Sequence, residues 1–150
     1  MTFAAAHSRL VTIVKAATPA IVARGLPAQY RHDRKAGDDL VKGDTRLFWL
    51  EVVSGQMQHV VHPSVPRRVH TTMELCIWYR GDVEHAAWLD AMMSDYDVVT
   101  RAVLLQPSWS GDIHSVSANN LDAMTPFTID YVDGGAVLKI ELDVEFFTSL

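Results

Sequence analysis

Along this 150-residue chain, apolar and polar positions alternate with two different periods, and the switch between them marks the elements. Leu10, Val11, Ile13, Val14, Ala17, Ile21 and Val22 recur mostly at three- and four-residue steps, which predicts an amphipathic helix over 5–17. Pro19 ends it, because proline lacks a donor and clashes with the preceding turn. From 24 to 45 the periodicity is lost. This stretch holds three glycines, one proline and nine charged residues and predicts a long exposed loop. Residues 46–53, apolar on both faces after Arg46 except at Glu51, predict a strand that Ser54 and Gly55 close. Over 69–80 the period is two: Val69, Thr71, Met73, Leu75, Ile77 and Tyr79 share one face, and His70, Thr72, Glu74, Cys76, Trp78 and Arg80 the other.

Asp82 is a good N-cap for a helix over 83–100, with Ala86, Leu89, Met92 or Met93, Tyr96 and Val99 as its buried stripe. Ser94 and Asp95 are weak helix formers and predict a break near them. A short strand is expected at 103–105 and another at 127–132. Asp133, Gly134 and Gly135 supply a tight hairpin turn. In the return strand Leu138, Ile140, Leu142, Val144 and Phe146 face one way, and Lys139, Glu141, Asp143 and Glu145 the other. The order predicts a single α+β domain over 1–150. Its sheet is mostly antiparallel, two main helices pack on one face, and a long exposed loop follows the first helix.

Composition narrows the class. With 49% hydrophobic residues the chain can bury a core, which excludes wholesale disorder. Its net charge of −5 makes the whole chain no attractor for nucleic acid, although Arg31, Arg34 and Lys35, and the pair Arg67 and Arg68, form local basic clusters. One cysteine, Cys76, excludes an internal disulfide and a multi-cysteine metal site, and suits a reducing compartment. No leader is expected at the N-terminus, and no run of about 18 apolar residues predicts a membrane span.

Candidate chemistry is sparse. His59 and His62 flank two valines, so in an extended segment they point to opposite faces, and the spacings of common metal motifs are missing; no metal and no cofactor is expected. Cys76 sits mid-strand between Leu75 and Ile77, where a thiol is inert. Glu141, Asp143 and Glu145 stand about 6 to 7 Å apart by strand rise. They could mimic an acid/base pair, but a glycosidase needs its two carboxyls to flank the scissile bond, normally from separate elements across a cleft. A solvated strand face, or the acidic surface of an assembly, explains them better, and no catalytic residue is assigned.

An N-terminal helix, a charged loop, a strand such as RLFWLEVV, a long strand RRVHTTMELCIWYRGD running into an acidic amphipathic helix, and a C-terminal hairpin ending LKIELDVEF make up a recognisable order. From Ser8 to Phe147 the chain resembles the tail terminator and neck proteins of long-tailed bacteriophages, in architecture and segment character and without a short diagnostic motif. The resemblance implies a non-enzymatic virion protein, assembled in the host cytoplasm. It would form a ring, usually of six, that caps the tail tube, stops its growth and offers a docking surface to the head-side connector or stopper protein. Six compact spheres of roughly 38 Å diameter enclose an opening of about the same width, enough for double-stranded DNA to pass. An acidic lumen would keep passing phosphates from sticking, which makes Glu141, Asp143 and Glu145 the lumen-facing candidates. Arg31, Arg34, Lys35, Arg67 and Arg68 are the interface candidates. Two other readings remain open: a small-molecule-binding or hydrolytic domain with a pocket between the 83–100 helix and the sheet, near Trp88, Tyr79, His70 and Glu74; and a monomeric adaptor that binds a partner through 24–45.

Overall fold

The structure is a computed structural model that describes residues 2–22, 26, 29–32, 45–57, 66–81, 85–104, 113–118 and 127–148. Helix α1 spans Phe3–Ala16, starting where the Thr2 side chain accepts the Ala5 N–H at 3.2 Å. Lys15 in its last turn faces the negative end of the helix dipole. Four strands and a second helix are long or strongly patterned enough to be read locally: β2 (Thr45–Met57), β3 (Arg67–Arg80), α2 (His85–Leu104), β5 (Phe127–Val132) and β6 (Gly135–Thr148). Two short strands complete the sheet, β1 (Gln29–His32) and β4 (Ile113–Ala118).

The strand order is β1-β2-β3-β6-β4, with β5 also paired to β6. The two partners divide β6 between them: β5 takes Gly135 to Ile140 and β4 takes Leu142 to Phe146. Every pairing is antiparallel except β1 with β2. The α+β class, with helices packed on a mostly antiparallel sheet, is the one the periodicity predicts.

Alternation decides which sheet face is covered. Phe48 and Leu50 of β2, Met73, Leu75, Ile77 and Tyr79 of β3, and Leu138, Ile140, Leu142, Val144 and Phe146 of β6 lie on one face. Ala6, Leu10 and Val14 of α1 and Trp88, Met92, Val99 and Val103 of α2 complete that core. Each large apolar side chain buried here contributes about 1.5–3 kcal/mol. On the outer face a smaller cluster of Leu47, Trp49, Cys76, Trp78 and Val137 is also buried.

Several expectations are corrected. The segment 24–45 is not loop throughout: β1 lies inside it, and Tyr30 is buried. β2 does not close at Ser54 and Gly55 but continues to Met57 through a bulge at Val53. α2 is unbroken at Ser94 and Asp95 and absorbs Val103 and Leu104, where a strand was expected. Its buried stripe is Trp88, Met92, Asp95, Val99 and Val103, whereas Ala86 and Met93 are exposed. The expected phase is shifted because the true stripe passes through a charged residue. Asp82, the expected N-cap, lies outside the described residues.

The β5–β6 turn requires glycine. Gly134 has φ 85° with open space around its α-carbon, and its carbonyl accepts the Gly81 N–H. At Gly135 a β-carbon would collide with the Tyr79 carbonyl oxygen and press on the Trp78 ring at 3.0 Å. Gly134→Ala is therefore expected to cost about 1 kcal/mol, the ordinary left-handed penalty. Gly135→Ala is expected to cost more, because the β3–β6 rungs hold the opposing carbonyl in place. Urea denaturation of both variants checks the order, and equal midpoints would contradict it.

Candidate functional site

A buried polar cluster joins the strands to α2. Asp95 and Arg46 are both fully buried, with Arg46 Nε 2.8 Å from Asp95 Oδ2. The Tyr30 hydroxyl donates to Asp95 Oδ1 at 2.6 Å, and the Tyr79 hydroxyl donates to Oδ2. Arg46 also donates from Nη2 to the Ile21 carbonyl at 2.6 Å, and its guanidinium lies 5.9 Å from the Tyr30 ring centre. All three sheet partners of Asp95 lie on the covered face: Tyr30 pairs with Arg46 across β1 and β2, and Tyr79 shares its face of β3 with Ile77.

Burial pushes the Asp95 carboxyl above the ordinary range, while Arg46 and the two hydroxyls pull it back. Burial, with the Asp95 charge next, pushes both tyrosine hydroxyls upward. They stay protonated donors, and the cluster neutralises itself. It fastens β1, β2 and β3 to α2.

The outer sheet face carries the acidic candidates. Glu141, Asp143 and Glu145 are half-buried on β6, on the face opposite the helices, as the alternation predicts. Across from them on β3, Arg68 Nη2 meets Glu145 Oε2 at 2.6 Å, His70 Nε2 lies 3.4 Å from Asp143, and Thr72 donates to Asp143 at 3.1 Å. Lys139 bridges Asp130 on β5 at 2.7 Å and Glu74 on β3 at 3.6 Å. The β6 carboxylates therefore belong to a laced surface of both signs in which acid predominates. Glu51, paired with Glu74 and accepting from Trp49 Nε1 at 2.9 Å, extends it onto β2. Beside it, burial pushes the Cys76 thiol upward, with Glu74 and Glu51 adding to the effect, so this cysteine is no nucleophile.

Among the described residues, the basic candidates Arg31, Arg67 and Arg68 are not brought together. Arg31 is exposed on β1, level with Leu47, while Arg68 pairs with Phe147 at the other end of the sheet. That separation is about 30 Å, the rise of some nine strand residues. Arg67 alternates with Arg68 and belongs to the opposite face. Arg34 and Lys35 lie outside the described residues. The pocket expected near Trp88, Tyr79, His70 and Glu74 is not formed. Trp88 and Tyr79 lie in the core under α2, while His70 and Glu74 lie on the far side of the sheet.

An open cleft of about 570 Å³ lies instead between the chain after α1 and the outer side of α2, lined by Ala17, Thr18, Ala20, Ser94, Val98 and Arg101 among others. Its described lining has a serine but neither a histidine nor a carboxylate pair. Among the described residues no group of histidine, cysteine and carboxylates could hold a metal ion, and no helix is long and apolar enough to cross a membrane.

Of these features, sequence reasoning found the β6 carboxylates and missed the cluster at Asp95. The available signal was a charged residue at the three-and-four spacing of Trp88, Met92, Val99 and Val103.

Arg46→Met is expected to destabilise the chain by about 3–5 kcal/mol, because it strands a buried carboxylate. The double variant Arg46→Met/Asp95→Asn removes both charges yet leaves an acceptor for the tyrosines, and should recover much of that loss. A denaturation double-mutant cycle measures the coupling; a single variant within about 0.5 kcal/mol of wild type would remove the pair's structural role. Compared with known proteins, the chain matches no family model and no curated sequence.

Proposed function

We propose that the chain is a structural, non-enzymatic virion subunit that forms a ring, of six copies as in the family it resembles, at the head-tail junction of a long-tailed phage. In this role it ends tail-tube growth, docks the head-side connector or stopper protein, and leaves an opening for double-stranded DNA. The observation that supports the reading is the chemistry of the outer sheet face. Glu51, Glu74, Asp130, Glu141, Asp143 and Glu145 crowd it, and of its cations Arg68 and Lys139 are each held by carboxylates, while Arg31 stands exposed at the β1 edge. A cation already engaged in this way is a poor partner for a phosphate. DNA therefore meets a wall that repels it weakly and offers little to grip, which suits passage without specific binding.

Two measurements test the proposal. Purified chain added to tubes of the tail-tube protein encoded in the same genome should decorate the tube ends as rings in negative-stain images and stop elongation. Tubes that lengthen at an unchanged rate with bare ends would overturn the reading. Separately, Glu141→Gln/Asp143→Asn/Glu145→Gln releases Arg68 and His70 from their partners. The triple variant should retard linear DNA in a low-salt gel and lose that retardation by about 0.2 M salt, while wild type leaves it unshifted. Identical mobility for the two proteins would remove the lining role from these three residues.

A further inference from the structure

The two lateral edges of the sheet are open in a way that fits them to each other. β1 covers the edge of β2 only from Thr45 to Phe48. Beyond that, from Trp49 to Met57, no described strand lies on the outer side of β2, and Glu51 to Met57 are all exposed. At the opposite edge β5 pairs only with β6 among the described strands, and five of its six residues are exposed.

Exposed apolar surface concentrates at these same two edges. Among the described residues ten large hydrophobics are exposed, and six of them are Val52, Val53 and Met57 on β2 and Phe127, Tyr131 and Val132 on β5. Val53 and Tyr131 are each 60% exposed. A long edge with exposed apolar side chains is a template for another strand.

Strand sense identifies that strand. β2 runs antiparallel to β3, β3 to β6 and β6 to β5, so β2 and β5 run in opposite senses at opposite sides of one sheet. A second copy of the chain, kept in the same sheet orientation, brings its β5 to β2 as an antiparallel neighbour with its helices on the same side. Because β1 already fills the lower part of the edge, the incoming β5 enters beside Trp49 to Met57, displaced along the strand direction. Its six residues fit that length. The bulge at Val53 interrupts the regular repeat there and restricts the register that an incoming strand can take.

We propose that copies of this chain join head to tail by antiparallel pairing of the open β2 edge, Glu51 to Met57, with β5, Phe127 to Val132, of the next copy. The contact uses two different surfaces, so it is heterologous, the class from which closed rings are built. The inference rests on the ring reading above and supplies its subunit contact.

The test uses the full-length chain. Light scattering over a concentration series should give wild type a mass above the 16.7 kDa of one chain. Val53→Lys and Tyr131→Lys, both at exposed positions, should each return it to that mass with an unchanged far-UV circular dichroism spectrum. In parallel, Val53→Cys and Tyr131→Cys are oxidised separately, mixed, and combined in one chain. The mixture should give a cross-linked dimer and the combined variant a ladder of multiples, while neither single variant cross-links alone. An assembly that persists in both lysine variants, without the mixed cross-link, overturns the edge contact and leaves the ring reading standing. A chain that stays monomeric and uncross-linked also overturns the contact, and the tube-end measurement then decides the ring reading independently. Cross-linking of Val53→Cys to itself would indicate a symmetric pair and overturn the head-to-tail arrangement.

Discussion

The carboxylate of Asp95 is the point at which the separate parts of this molecule become one. Arg46 reaches it from β2, Tyr30 from β1 and Tyr79 from β3, and the same guanidinium holds the Ile21 carbonyl beyond α1. Apolar packing alone would leave α2 free to choose among several rotations over the sheet, since Trp88, Met92, Val99 and Val103 are interchangeable in kind if not in shape. A buried charge has no such freedom. Desolvating it costs several kcal/mol, and the arrangement that satisfies it is specific. The polar contacts and the apolar stripe thus agree on a single helix phase.

This also explains what the sequence discloses and what it hides. Long strands with strict alternation, β3 and β6, are legible because each residue votes for the same face, and the carboxylates of β6 are legible with them. The hairpin is legible from Asp133-Gly134-Gly135 because the turn chemistry is local. α2 is predicted with the right type and a shifted stripe: Met92 and Val99 are buried as expected, whereas Trp88, Asp95 and Val103 are missed, because reading apolar residues alone skips Asp95. β1 is four residues within a charged stretch, and only Tyr30 among them is buried. β4, with the sequence IHSVSA, has little pattern of its own and exists through its rungs with β6. Nor is the placement of the basic residues legible from neighbours in the sequence. Adjacency along a strand places Arg67 and Arg68 on opposite faces, and no local rule places Arg31 at the far end of the sheet.

The sheet thus works with a different physics on each side. Toward the helices it is a close-packed core with one neutralised polar cluster. Away from them it is a cross-strand lattice of charge in which carboxylates outnumber cations, anchored at one end by Leu47, Trp49, Cys76, Trp78 and Val137. Because the strands are shared, the stiffness of the core is transmitted to the outer lattice, and Arg68, His70 and Lys139 are held against fixed acidic partners. An exposed ion pair contributes little to stability by itself. A row of them on one sheet nevertheless fixes where the charge of this face lies.

The reach of the Asp95 cluster along the chain has an entropic consequence. Tyr79 is 16 residues from Asp95, whereas Tyr30 is 65 residues away. Closing the longer loop carries the larger entropic cost. β1 also pairs locally with β2, Gln29 opposite Thr45. The Tyr30 hydroxyl thus turns a short-range strand pair into a tie between the early part of the chain and α2, and two distant stretches of sequence come to depend on one carboxylate.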